Sequence, residues 1–215
     1  DEMKRIARGF LSIARPRDRV AVYVLANNWF GVVSRLTDDR ALLERLIDEL
    51  PPMSGASPIY DAIVLSWAEE LAARPGERSA IVAITDGEDN RFAQRGLPSK
   101  TSEKDLAEFL RRVETLFYPV FLGPQPERLA SGSYAAKAYS KLVDIAAAAG
   151  GTVFAAEGEE EFARVYRLVE QELRSVYSIS YYPDDQNFDG AFRPVEIRVA
   201  RPGAEVRARD GYFAR

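Results

Sequence analysis

The chain has 215 residues, 47% hydrophobic and 29% charged, with a formal net charge of -4. This is the composition of a globular protein long enough for one well-filled core, and the acidic balance argues against a nucleic-acid footprint. Cysteine and histidine are both absent, which excludes disulfides, thiol catalysis, Cys- or His-ligated zinc and any Ser-His-Asp arrangement.

The chain opens in helical pattern, with Met3, Ile6, Phe10 and Ile13 recurring at spacings of three and four. It begins with Asp1, not Met, so the expectation is either a trimmed domain or a missing true N-terminus, and targeting is not readable from it. Val20, Val22 and Val24 alternate in a strand over 19–26. A turn at Asn27 and Asn28 then leads to a second strand, WFGVVSRL, expected to pair with the first as an antiparallel neighbour. Residues 38–50 read as a helix stopped by Pro51 and Pro52. A small-residue loop, MSGASP, precedes another helix from Ile59 that turns Ile63, Trp67 and Leu71 inward.

An apolar strand follows over 79–85, then an irregular polar loop over roughly 87–101. Ser102 with Asp105 predicts a capping box for a helix through Leu106, Phe109, Leu110 and Val113. LFYPVFL is the next strand, and a Pro/Gly/Ser-rich loop runs from Gly123 to about Ser133. A helix ending DIAAAAGG, a strand TVFAA and a helix over about 159–174 complete the alternation. The run EGEEEF suits the N-terminus of that last helix, where acidic residues meet the positive end of the helix dipole.

Strands alternating with amphipathic helices predict an α/β fold with a doubly wound, mostly parallel sheet. The pattern changes near Ser175. SVYSISYYP, AFRPVEIRVARPG and AEVRARDGYFAR alternate at period two without an intervening helix, which predicts about three antiparallel strands. The organisation expected is thus an α/β domain over 1–174 with a β appendage over 175–215 packed on it. Tyr177, Tyr181, Tyr182 and Tyr212 are expected to form cross-strand pairs there. No apolar run approaches the ~18 residues of a membrane-spanning helix.

The stretch IVAITDGEDN, 81–90, ends its apolar run in Thr85, Asp86, Gly87, Glu88, Asp89 and Asn90. One reading is a solvated turn, since Asp, Gly and Asn are ordinary turn residues. The other is a cation or phosphate site at the carboxyl end of a parallel strand, where open α/β sheets bind ligands. Without histidine or cysteine, a metal held here has to be a hard cation bound by oxygens: Mg²⁺, Ca²⁺ or Mn²⁺. Trp29, at the edge turn, suits either an interface anchor or packing over the sheet edge.

The loop and helix SGASPIYDAI at 54–63, the strand ending Thr-Asp-Gly, and the tail ELRSVYSISYYP with FRPVEIRVARPGAEVRARDGYF resemble the von Willebrand factor type A fold, in particular bacterial VWFA-related domain proteins. The resemblance implies a Rossmann-like sheet and a metal-ion-dependent adhesion site built from three loops. Ser57 stands where that family usually has Thr, and Asp86 stands at its third-loop Asp. The family's Asp-x-Ser-x-Ser motif and the central first strand before it have no counterpart in this sequence. The resemblance therefore implies a fragment cut downstream of the motif, the alternative being a member that has lost its site. With that segment restored, it implies a non-enzymatic protein-interaction module holding Mg²⁺ (or Ca²⁺ or Mn²⁺), whose protein ligand supplies an acidic residue to the metal. It also implies an exported bacterial protein. Two rivals stay open: a Mg²⁺-dependent hydrolase or phosphotransferase with Asp86 on the ion, and a metal-free structural domain. The first lacks a Gly-rich phosphate loop after a strand.

Overall fold

A computed structural model describes residues 2–26, 29–52, 58–89, 99–177, 179, 181–183, 187–203 and 206–214. The elements follow the expected order. Helix α1 (Glu2–Ile13) leads to β1 (Val20–Ala26) and β2 (Trp29–Thr37), then α2 (Arg40–Asp48) and α3 (Ile59–Glu70). After these come β3 (Ser79–Thr85), α4 (Glu103–Arg112) and β4 (Thr115–Leu122). The order ends with α5 (Tyr134–Ala148), β5 (Phe154–Ala156), α6 (Glu159–Arg174), β6 (Phe192–Pro194) and β7 (Gly211–Phe213).

Strands β3, β4 and β5 form a parallel sheet in that order, with Ser79 opposite Thr115 and Val120 opposite Phe154. Both faces are covered. On one side Ile59, Ile63, Leu106, Leu110, Phe117, Ile145 and Ala149 join α3, α4 and α5 to the sheet. On the other, Ile6, Tyr118, Val120, Phe162, Val165 and Val169 join α1 and α6 to it. Consecutive residues Phe117 and Tyr118 point into opposite layers, as the two-residue period of a strand requires. The capping box is formed: Asp105 N donates to Ser102 Oγ at 3.1 Å, and Ser102 N to Asp105 Oδ2 at 3.3 Å.

Strands β1 and β2 form their own antiparallel pair, Val24 opposite Gly31 and Leu25 opposite Phe30. Among the described residues, β1 and β3 share no ladder. They are nonetheless neighbours. Arg19, just before β1, is 2.5 Å from Glu77, just before β3, and Leu25 packs against the same cluster as Ile81 and Ala83. Helix α3 touches β1, β2 and β3, while α1 touches both α2 and α6, so one helix on each face spans the two sheets. The consequence is visible in burial. Strand β4 is buried along nearly its whole length, whereas Ser79 to Ile84 of β3 are only half-buried despite being mostly apolar.

A second ligature fixes the hairpin to α3. The buried Glu70 carboxylate accepts from Tyr23 Oη at 2.6 Å, Arg35 Nη1 at 3.0 Å and Leu36 N at 3.2 Å. Burial alone would push this carboxyl up. The three donors outweigh burial and hold it below the usual range. The same pairing works on Tyr23, whose hydroxyl is pushed up to about 12 by burial and by its bond to Glu70.

The tail meets expectation in part. Among its described residues only β6 and β7 pair, antiparallel as expected, with Phe192 opposite Phe213. The described residues of SVYSISYYP form no strand, and Tyr177 and Tyr182 are 88% and 95% exposed instead of packed. Of the four tyrosines, Tyr181 and Tyr212 do meet, ring centroids 6.1 Å apart. A turn is also expected over Asp184 to Gly190, of which residues 184–186 lie outside the described residues. The end of the chain is held by cations: Arg111 to Asp210 at 3.1 Å, Arg112 over the Phe213 ring at 4.0 Å, and Arg207 to Glu172. No helix among the described residues is long and apolar enough to cross a membrane.

Candidate functional site

Strand β3 delivers its carboxyl end to the rim of the molecule, where Asp86 follows Thr85 at once and is exposed. Two side-chain turns shape the exit. Thr85 Oγ1 accepts from Gly87 N at 2.9 Å, and Asp86 Oδ1 accepts from Glu88 N at 3.0 Å. Gly87 takes φ +79°, the left-handed region, and a Cβ there would lie 3.1 Å from the Ala138 Cβ of α5. Both conditions demand glycine, so Thr-Asp-Gly is a built turn that throws the Asp86 carboxylate outward. Among the described residues nothing bonds to Asp86 Oδ2.

Glu88 stands close enough to feel Asp86. Burial raises its carboxyl above the ordinary value, and the Asp86 charge adds to the rise. The same negative field reaches α5: the Tyr134 hydroxyl is raised by burial first, then by Glu88, Asp86 and Asp89. A cation at this rim would relieve that repulsion. The donor set, however, is small. No group of three or more acidic residues able to hold an ion occurs among the described residues. Ser57, the other expected ligand, lies outside them. Asp86 with Glu88 falls short of the six oxygens a hard divalent ion prefers, so the described residues alone do not make a complete site.

Asp89 ties this rim to helix α3. Helix α3 starts after Pro58, which offers no side-chain acceptor for the free amides of the first turn. Asp89 supplies one from another loop: Tyr60 N reaches Asp89 Oδ1 at 3.4 Å. Ser99 completes the junction, donating from Oγ to Asp89 Oδ1 at 2.6 Å while accepting from Asp61 N at 3.1 Å. Asp61 returns the bond, its carboxylate accepting from Lys100 N at 2.8 Å and Thr101 N at 2.9 Å. Burial pushes the Asp61 carboxyl up, but these donors prevail and hold it below its ordinary value. Sequence reasoning missed Asp61 and Ser99. The available signal was a helix start with proline at the cap and an acid in the first turn, which leaves amides needing a distant acceptor.

The rim continues into a cleft of about 570 Å³ between α4 and α5, floored by Tyr60, Gly87 and Ala138.

A family model described as von Willebrand factor type A domain matches residues 1–88, from α1 through the Thr-Asp-Gly turn. Solved structures share the fold at low identity. The protein BatB from Bacteroides thetaiotaomicron is 15% identical with a TM-score of 0.57, covering 80% of this chain and 85% of that one. The von Willebrand factor type A protein from Catenulispora acidiphila is 17% identical with a TM-score of 0.56, covering 80% of this chain and 37% of that one. The SpRpn10 VWA domain is 16% identical with a TM-score of 0.52, covering 77% and 81%. No curated protein matches the chain in sequence.

Proposed function

From the premise that this chain carries a von Willebrand factor type A domain, we propose that it is a non-enzymatic protein-interaction module that binds its partner at the β3 rim. In this reading Asp86 and Ser57 ligate a hard divalent cation, Mg²⁺ or alternatively Ca²⁺ or Mn²⁺. The remaining ligands come from an Asp-x-Ser-x-Ser loop upstream of Asp1 and from an acidic residue of the protein partner. The observation that carries the reading is the exposed Asp86 carboxylate, thrown outward by the Thr85 and Gly87 turn at the carboxyl end of a parallel strand. The strand preceding that loop would lie between β1 and β3, whose facing edges carry no ladder among the described residues. Export from a bacterial cell belongs to the same proposal.

When bound, the cation supplies a Lewis-acid anchor for a carboxylate. The chain's own part is to hold Asp86 outward and to keep Glu88 close, so that their mutual repulsion favours a positive ion. The test is calorimetric titration of Mg²⁺ into the chain with and without an upstream strand ending Asp-x-Ser-x-Ser. Binding is expected only in the extended form, lost in Asp86→Ala and weakened less in Ser57→Ala, because a neutral hydroxyl is the poorer ligand. Equal affinity in the extended domain and its Asp86→Ala variant would overturn the assignment. A metal-free module is the second reading, favoured by the small acidic set among the described residues. It predicts partner binding unchanged by chelator.

A further inference from the structure

We infer that Asp89 and Ser99 are positioning residues of the proposed partner site: through the first turn of α3 they hold the segment that carries Ser57 against the turn that carries Asp86. The inference rests on the proposed reading in taking Ser57 and Asp86 as the partner-facing pair, and adds the residues that set their spacing.

The path from Asp86 to α3 contains little slack. Thr85 Oγ1 accepts from Gly87 N and Asp86 Oδ1 from Glu88 N, so two successive side-chain turns shape the chain leading to Asp89. Asp89 Oδ1 then accepts from Tyr60 N at 3.4 Å, and Ser99 Oγ accepts from Asp61 N at 3.1 Å. These are the second and third amides of α3, which begins at Ile59 and has no side-chain cap of its own. Asp61 answers from the helix, its carboxylate accepting from Lys100 N at 2.8 Å and Thr101 N at 2.9 Å. In the other direction only Pro58, at φ -73°, separates Ile59 from Ser57 in the chain, and its ring fixes that dihedral.

Core packing does not set this spacing. Ile59, Tyr60 and Ile63 bury α3 against Ile81 and Ala83, which seats the helix on the sheet but satisfies none of its first amides. Tyr60 and Ser99 are each only 5% exposed, so water is a poor substitute for a lost acceptor. Without Asp89 and Ser99 the first turn has to open toward solvent to satisfy its amides, and the segment before Pro58 moves with it.

The chain contains no cysteine, so a pair of introduced thiols reports this spacing without background. Ser57→Cys with Glu88→Cys is equilibrated in a glutathione buffer, and the disulfide fraction gives the effective concentration of one thiol at the other. Arg35→Cys with Glu69→Cys is the control pair at the far end of α3, where the native side chains meet at 2.6 Å. Adding Asp89→Ala should lower the effective concentration of the 57/88 pair about tenfold, the scale of a lost helix cap, and leave the control pair unchanged. Ser99→Ala should act in the same direction, and Asp89→Asn, which keeps one acceptor oxygen, should recover part of the loss. An unchanged 57/88 value in both alanine variants would overturn the inference, as would an equal fall in the control pair, which would mark a general loosening. A 57/88 pair that forms no disulfide in the otherwise unaltered chain would overturn it too. The measurement uses neither metal nor an upstream strand, so its failure leaves Asp86 as a ligand, and failure of the calorimetric titration leaves this positioning role standing.

Discussion

Asp89 and Ser99 close a loop at its neck: Ser99 Oγ donates to Asp89 Oδ1 at 2.6 Å and Ser99 N donates to Asp89 Oδ2 at 3.2 Å. Since Asp89 also receives Tyr60 N, one carboxylate ties the exit of β3, the approach to α4 and the start of α3. Asp89→Ala removes the acceptor and leaves these donors unpaired. The expected loss is about 1–2 kcal/mol, the scale of a lost helix cap, with faster hydrogen exchange at Tyr60 and Asp61. Asp89→Asn keeps an acceptor and should lose less. Unchanged exchange at both amides in Asp89→Ala would contradict the tie.

This junction marks the limit of what the sequence made legible. The order and type of the elements, the capping box at Ser102 and the exposure of Asp86 follow from local pattern, because each depends on residues within one turn of each other. The α3 junction depends on residues 29 and 38 positions away in sequence, which no local pattern records. The tail failed for the opposite reason. Alternation in SVYSISYYP states that one side prefers burial, but a strand forms only where a neighbouring edge accepts its backbone. The described part of that segment has no such neighbour. The separation of β1 from β3 was legible only through the family's strand order, not from periodicity.

Glu70 should make stability depend on acid. Its folded carboxyl lies below the ordinary value, so its contribution is present above the unfolded pKa of about 4.3 and is lost as pH falls through the folded one. Tyr23 has the reverse sign: raised to about 12, it contributes fully below about pH 10 and is lost as pH rises between those values. Glu70→Ala leaves Tyr23, Arg35 and Leu36 N without their acceptor, with an expected cost of about 2–4 kcal/mol. Urea denaturation at pH 4 and pH 7 is the measurement. The wild-type difference between the two should shrink in the variant, and an undiminished difference would assign the acid sensitivity elsewhere.

The tail anchors should differ in their response to salt. Arg111 with Asp210 is a partly exposed pair, so Arg111→Ala should cost no more than about 1 kcal/mol and less still in high salt. Arg209 is more enclosed: burial pulls its pKa down against the opposing charge of Glu114, and Nη2 reaches Thr115 O at 3.4 Å. Its stem packs beside Gly150, so truncation removes apolar contact that salt does not screen. Arg209→Ala should therefore accelerate proteolytic release of the chain's last residues at any ionic strength. Release that high salt alone reproduces in the unaltered chain would show the exposed pairs to be the true anchor.

The edges of β1 and β3 that carry no ladder among the described residues are the feature most open to direct measurement. Natural sheets protect an edge with charged residues, proline or a bulge aimed at the missing neighbour. Neither VAVYVLA nor SAIVAIT contains a charge or a proline. The bulge in β1 lies between Val20 and Tyr23, leaving Val24 to Ala26 regular. Such edges are suited to pairing. In a parallel ladder successive amides of β3 point alternately to its two sides, so half of them bond to β4 and half face β1. In this chain the second half should exchange with solvent far faster than the first, and faster than the amides of β4, which has β3 on one side and β5 on the other over Val120 to Leu122. Adding an upstream apolar strand should slow the fast set in β1 and β3 together and leave β4 unchanged, because one strand bonds both edges at once. It should also bury the half-exposed Ile81, Val82 and Ile84 and raise the melting temperature. Uniform protection along β3 in the chain as it stands would mean that its second edge is already satisfied, and the slot between β1 and β3 would have to be abandoned.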